Sequence, residues 1–333
     1  MTQILGSKAI GASAVSTGLQ DPREYIRLAT LAELVRPGMS VEPTIALVAA
    51  CLNHSSRSVR ELAVVVLGHA GAPAVAPLSQ ALDEGQPTSV RIFAASGLGR
   101  AGAGAAPAVD QLCRCLAGED SLLRWHASFA LGKIGAAAVP GLRAMLQSSD
   151  PLTQSAALDA LGWIGAPASA AMLDAKRLES SPDAQLRLAC QSALVKTSGD
   201  PSQGLPMMLA TLQDPDPAIR RAGIDRIGNL GKIAGDSTPA ILRLLSDPSS
   251  DVRSAAALAL ARIEAKSPVA VGSLARLLSD PEPEVRANAA IALASSGPAA
   301  QSALPALCAM QQDNDPRLAA IAAAALERIS IPH

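Results

Sequence analysis

Asp214-Pro-Asp-Pro-Ala-Ile-Arg220, Asp247-Pro-Ser-Ser-Asp-Val-Arg253 and Asp280-Pro-Glu-Pro-Glu-Val-Arg286 are one phrase written three times, with arginines 33 residues apart. A fixed period of this length signals stacked supersecondary units. Walking outward from the three gives a ladder of ten rungs: Arg27, Arg60, Arg91, Arg124, Gln154, Arg187, Arg220, Arg253, Arg286 and Ala319. Successive spacings are 33, 31, 33 and 30, then 33 throughout, and eight of the ten rungs are arginine.

Positions counted from each rung hold the same register. Seven residues on stand Leu34, Leu67, Leu98, Leu131, Leu161, Leu194, Ile227, Leu260, Leu293 and Leu326. Three residues on, every side chain is small, from Thr30 and Ala63 through Cys190 and Gly223 to Ala322. The residue before the rung is aliphatic except at Thr153. Offsets −1, +3 and +7 share one face of a 3.6-residue helix, with +4 flanking it. Small residues at +3 let neighbouring backbones approach. At +11, Gly38, Gly71, Gly102, Gly135, Gly165, Gly231 and Gly297 provide for a left-handed residue that ends the helix. At the start, Asp280 of Asp280-Pro281-Glu282 is expected to cap the first amides, with proline at the first helical position. A shorter helix is expected before each turn, as in Pro239 to Leu245, Val269 to Leu278 and Pro305 to Met310. Each unit is therefore a helix A, an Asp-Pro turn and a helix B carrying the rung.

The 333 residues are 49% apolar, yet contain two Trp, one Tyr and two Phe, so Ala, Leu, Val and Ile must build thin, repeated layers. Balanced charge (28 basic, 29 acidic) gives no general pull on nucleic acid or anionic membrane. No stretch approaches the roughly 20 apolar residues of a membrane helix, and the N-terminus lacks the pattern of a signal peptide. Cys51, Cys113, Cys115, Cys190 and Cys308 form no CxxC pair and read as reduced thiols of a cytoplasmic protein.

The pattern Asp-Pro-x-x-x-Val-Arg-x-x-Ala-Ala-x-Ala-Leu-Gly-x-Ile-Gly resembles HEAT repeats, in particular the bacterial type of the phycobilin lyases. The resemblance covers about residues 7–330 and matches at ten phased positions. It implies an all-α fold, a right-handed α-α superhelix of about ten helix pairs over 1–333 with a degenerate cap at 1–20. It also implies A helices on the convex surface and B helices on the concave one. With layers ~8–10 Å apart, the arc would be on the order of 90 Å.

Two readings of the ladder compete: an anion-binding track, or a structural tie between repeats. The tie is favoured, because the arginine shares the helix side of the core positions and an Asp of the turn, such as Asp214, Asp247 or Asp280, is a natural partner for its fork. The last rung is alanine, as expected where no further turn follows. Gly97-Leu-Gly-Arg-Ala-Gly102 matches the dinucleotide motif GxGxxG but closes a helix B instead of following a strand. Asn53-His54-Ser55 is a glycosylation sequon expected to go unused. Cys113 and Cys115 should point to different sides of helix A, and His54, His69, His126 and His333 are too dispersed for a metal centre. The repeated His-Glu pairs of HEAT-like iron hydroxylases are missing, and no catalytic arrangement can be assembled, so no enzyme, metal or cofactor is expected.

Function must then lie where the repeats differ. Offsets +1, +2, +5 and +9 of helix B point away from the core. The +9 series (Arg36, His69, Arg100, Lys133, Trp163, Lys196, Asn229, Arg262, Ser295, Arg328) contains six Lys or Arg and no acid. Cations favour the last helical turn, and a groove preferring acidic partners is a compatible reading. Four of five aromatics sit on consecutive B helices, with Phe93 at +2, Trp125 at +1, Phe129 at +5 and Trp163 at +9, and His126 beside Trp125. They read either as a binding patch with Arg100, Lys133 and Lys196, or as filling between B helices. In the same region lie the 30-residue spacing and Gln154, a rung whose missing arginine makes it a candidate flexure point. The expected function is a non-catalytic scaffold or adaptor holding another protein, with an acidic segment among the candidates. The alternative implied by the resemblance is a phycobilin lyase-like or phycobilisome-handling factor cradling a tetrapyrrole or a pigment protein.

Overall fold

The computed structural model describes residues 12–36, 39 and 41–330. Residues 1–11, Gly38 and His333 lie outside them. Among the described residues the chain is all-α, and it divides into two compact units, Met1–Ala175 and Lys176–His333. The first holds five helix pairs: α1 (Ala12–Gln20) and α2 (Glu24–Leu34), α3 (Ile45–Ala50) and α4 (Arg57–Ala70), α5 (Val75–Gln80) and α6 (Thr88–Ala101), α7 (Val109–Leu116) and α8 (Ser121–Ile134), α9 (Val139–Met145) and α10 (Pro151–Ile164). It ends with the short α11 (Met172–Ala175). The second opens with a 3-10 turn over Lys176–Ser180 and α12 (Ala184–Ser198). Four more pairs follow: α13 (Leu205–Thr211) and α14 (Pro217–Gly228), α15 (Thr238–Leu244) and α16 (Ser250–Arg262), α17 (Pro268–Leu277) and α18 (Pro283–Ser296), α19 (Leu304–Met310) and α20 (Pro316–Ser330).

Even-numbered helices are the B helices, and each carries its rung in the expected register. Within each unit every B helix packs on the B helices before and after it, and each A helix leans on its own B helix. The buried set is the one that the period implied. Ala63, Ala94, Ala127, Ala157, Cys190, Ala256, Ala289 and Ala322 are completely buried at +3, and Leu67, Leu98, Leu131, Leu161, Ile227 and Leu293 at +7. Leucine with alanine fills a layer one helix pair thick without aromatics. Short 3-10 turns such as Gly102–Ala108 and Gly231–Ser237 lead from one helix B to the next helix A, a feature the periodicity does not encode.

The helix ends refine two expectations. Gly71, Gly102, Gly135, Gly165, Gly231 and Gly297 all take positive φ. At Gly135, however, φ is 83° and ψ −142°, outside the left-handed helical basin and in a region essentially reserved for glycine. The Asp of the Asp-Pro turn does not cap helix B where Asp280 was expected to. α18 begins at Pro283 after Glu282, while Asp280 Oδ1 accepts the Glu282 amide in a turn of its own. Where a second Asp stands two residues on, as at Asp216, that residue caps the helix by accepting from the Ala218 amide.

The ladder arginines bond in two patterns, to a carboxylate of the next turn or without one. Arg220 donates from Nε and Nη2 to the two Asp247 oxygens at 2.9 and 2.7 Å, and Arg253 repeats this fork on Asp280 at 2.8 and 2.9 Å. Arg286 pairs with Asp313 at 3.1 Å. Each also donates from Nη1 to carbonyls of its own turn, as Arg253 does to Asp247 and Pro248. Burial opposes ionisation of Asp247 and Asp280, but the arginine forks, backbone amides and nearby guanidinium charges outweigh it and hold both carboxyls below the usual range.

The other arginine rungs bond backbone carbonyls and have no carboxylate partner among the described residues, while Arg27 also meets His54 Nε2 and Arg91 donates to Cys115 Sγ. Arg27 donates to Leu19 O, Arg60 to His54 O and Ser55 O, Arg91 to Leu82 O, Arg124 to Leu116 O and Gly118 O, and Arg187 to Ser181 O and Pro182 O. Among the described residues the expected Arg187–Asp214 fork does not form. Asp214 accepts the Asp216 amide and offers its carbonyl to Arg220. Gln154 keeps its tie: its amide donates to Leu146 O and Ser148 O, the equivalents of the carbonyls that Arg124 uses.

Candidate functional site

Helices α8 and α10 bring three of the aromatic residues together. Trp125 stacks on Phe129 one turn along α8 (centroids 5.7 Å, planes 7° apart). Trp163, from α10, meets both rings edge-on at 6.2 and 5.4 Å. The Lys133 ammonium lies 5.2 Å from the Phe129 centroid, so one turn-by-turn row runs Trp125, Phe129, Lys133. Phe129 is the filling of this cluster and is half-buried. The two tryptophans are not filling: Trp125 is 51% exposed and Trp163 38%.

Phe93 stands apart from that cluster. The Arg60 guanidinium covers its ring at 5.3 Å, and both line a groove of about 700 Å³ across α4, α6 and α8. The floor is apolar, from Val64, Val65, Ile92, Phe93 and the 53%-exposed Leu122, with Arg57, Arg100 and His126 around it. Burial pushes the His126 imidazole below its usual pKa, which favours its neutral form. Leu122, at offset −2, adjoins the aromatic cluster, and Leu152 at the same offset of α10 is 59% exposed. The sequence reading missed this −2 row because a leucine two residues before the rung looks like one more core residue.

It also missed how the +9 residues are seated. A Cβ added at Gly68 would collide with Arg100, and one at Gly132 would lie 2.7 Å from Trp163 Cβ. At Gly68 and Gly132 the +8 glycine is thus the seat for the +9 side chain of the next repeat, whereas at Gly99 and Gly228 it lets the backbone at Ala130 and Ala259 of the next helix B approach. A glycine counted only as a helix breaker hides that role, although its recurrence at Gly68, Gly99, Gly132, Gly162 and Gly228 is visible in the sequence. Lys196 lies on α12, in the second unit.

The second unit has its own B-helix groove, of about 460 Å³ over α12, α14 and α16, and its chemistry differs. Arg221 lies within 3.8 Å of Asp225 and 3.7 Å of Asp251, and Arg262 donates to Asn229 at 3.1 Å. Arg221 there has two carboxylates beside it, and Arg262 a neutral amide oxygen.

The decoys resolve by position. Gly97 and Gly99 sit inside α6, and Gly102 ends it. Cys113 faces Gly141 of the following repeat, whereas Cys115 faces Arg91. Burial pushes the Cys113 thiol up to about 11 and, with help from Glu179, the Cys190 thiol up to about 12. Among the described residues no group of three or more His, Cys, Asp or Glu is placed to hold a metal, and no helix is long and apolar enough to cross a membrane.

Comparison with known proteins gives a family match to HEAT repeats over residues 109–195, 205–278 and 238–327. No curated protein matches the chain. Among solved structures, the chain is similar to an engineered protein at 19% identity and a TM-score of 0.39, over 97% of this chain and 99% of that one. It is similar to the complex of CpcE and CpcF of phycocyanin lyase from Nostoc sp. PCC7120 at 24% identity and 0.45, over 72% and 94%. It is also similar to the karyopherin Kap121p bound to the SUMO protease Ulp1p at 16% identity and 0.48, over 96% of this chain and 41% of that one.

Proposed function

Because the chain belongs to the HEAT-repeat family, we propose that it is a non-catalytic scaffold or adaptor that holds a segment of another protein on its B-helix layer. The observation that carries this reading is the pair of exposed tryptophans, Trp125 stacked on Phe129 and Trp163 edge-on to both rings, with an apolar groove on the same B-helix layer. Layers elsewhere in the chain are complete with alanine and leucine, so these rings are not needed to close the core. Rigid aromatic anchors lose little conformational entropy on binding and dominate interface energetics, at ~2 kcal/mol or more for each strong one.

The test is capture from native lysate with the full chain, comparing wild type with the W125A/W163A variant and identifying the retained proteins by mass spectrometry. Loss of a specific partner from the variant, with helicity by circular dichroism unchanged, is the expected result. Retention of the same proteins by both would sink the reading. A tetrapyrrole is the second reading, favoured by flat rings flanked by Arg100 and Lys133, which suit propionate groups. Visible absorbance acquired on co-expression with a bilin, and lost in W125A/W163A, would establish it in place of a protein segment.

A further inference from the structure

We propose that the segment docked on the first unit is an extended, acidic-apolar one: aliphatic or aromatic side chains lie in the groove, and two carboxylates about three residues apart meet Arg100 and Lys133. This rests on the B-helix layer being a docking surface, and it assigns the chemistry of the occupant.

The charge argument is specific to these two cations. Arg57 is tied to Glu61 at 2.7 Å, and Arg60 gives two bonds to its own turn while stacking on Phe93. Arg100 and Lys133, by contrast, are exposed, stand at the same offset of adjacent helices, and have no ion pair among the described residues. Neither head is free to wander. The Arg100 stem is seated on Gly68, and the Lys133 ammonium is placed by Phe129. The helix dipole explains why a cation suits a last turn, but it says nothing about the apolar surface beside it. In the second unit's groove Arg221 has carboxylates beside it, and the lining holds no aromatic residue. On the first unit Arg100 lines the apolar groove and Lys133, one B helix on, stands over Phe129, both without a carboxylate partner among the described residues.

Geometry sets the length and register. Packed helices lie ~8–10 Å apart, so crossing from α4 to α10 spans roughly 30 Å, or about nine extended residues. Polyproline-II backbone repeats every three residues, ~9 Å, close to one helix step. Acids at positions i and i+3 of such a segment would reach Arg100 and Lys133 in turn, while the intervening apolar residues face the floor.

The probes are three fluorescein-labelled synthetic dodecapeptides, titrated against the full-length chain by anisotropy. One carries Glu-x-x-Glu with Leu and Phe between, one has Lys in place of Glu, and one keeps Glu but has Ser in place of the apolar residues. At physiological ionic strength the first should bind about ten-fold or more tightly than the other two, with affinity falling as salt rises. The R100E/K133E variant, its fold checked by circular dichroism, should prefer the lysine peptide, an inversion that mere loss of structure could not produce. Equal binding of the glutamate and lysine peptides, or an unchanged preference in R100E/K133E, overturns the charge assignment while leaving partner capture through Trp125 and Trp163 intact. Failure of all three peptides to bind overturns this inference too, whereas the docking reading fails only if lysate capture is also insensitive to W125A/W163A.

Discussion

The rung arginine, present in eight of the ten repeats, finds its hydrogen-bond partners by different means in different copies. In Arg253, three nitrogens have assigned partners: Nε and Nη2 hold Asp280 of the next turn, and Nη1 holds Asp247 O and Pro248 O of its own. The pair is nearly dry, with the two side chains 13% and 6% exposed. Arg253→Ala should therefore leave a buried carboxylate and two carbonyls short of donors, lowering stability by ~1–3 kcal/mol. A denaturant midpoint indistinguishable from wild type would show the fork to be ornamental. That the ladder was structural could be read from the rung's place beside the core positions. Which acceptor each rung takes could not, because it depends on the next turn. Arg124 bonds Leu116 O and Gly118 O of its own turn, and the next turn offers it Ser148 at the place where Arg220 finds Asp247.

At the scale of the element, the end of helix B imposes a backbone requirement independent of packing. A Cβ at Gly135 would meet nothing within 4 Å, so any cost of adding one comes from φ 83°, ψ −142° alone. Gly135→Ala should lower stability by roughly 1–3 kcal/mol. At the same +11 position of the Arg253 repeat stands Glu264, the one non-glycine residue with positive φ (58°) among the described residues. Its carboxylate pairs with Lys232 and Lys266 at the surface, a weak compensation in water. Glu264→Gly should consequently shift the urea midpoint upward. If both substitutions moved the midpoint the same way, backbone strain would not be what this position controls. Helix A and helix B were legible from period and punctuation. The 3-10 turns were not, since seven residues such as Gly102–Ala108 show no periodicity and acquire their shape from neighbouring helices. Nor was the reduced helix A at 172–180, where α11 and a 3-10 turn stand for one longer helix.

For the whole molecule, the 33-residue phase specifies an array but not its division, because the rungs run on through Ala175 and Lys176 without a change of register. What differs between the units is how their repeats are tied and what their B faces offer. The first unit's rungs have no carboxylate partner among the described residues: they bond backbone carbonyls, with the His54 and Cys115 side chains beside Arg27 and Arg91. The Arg–Asp forks at Asp247 and Asp280 belong to the second. Both carboxyls are held below the unfolded-chain value near 3.9. Such groups contribute stability that is complete above the unfolded pKa and is lost as pH falls through the folded one. In the first unit, the lowered carboxyls are Asp21, in a surface pair with Arg23, and the Asp150 cap. Acidification below about pH 4 should accordingly weaken hydrogen-exchange protection in α14 to α18 before it weakens α4 to α8. R253A should flatten that pH dependence in the second unit, since Asp280 would then lose the partner that lowers its pKa. Equal loss in both units would mean that carbonyl-tied and carboxylate-tied repeats respond to acid alike. The contrast also fits the functional reading: the unit whose rungs have no carboxylate partner among the described residues is the one whose B face carries the exposed tryptophans with Arg100 and Lys133, so no rung-bound acid stands there to compete for a partner's place at those two cations.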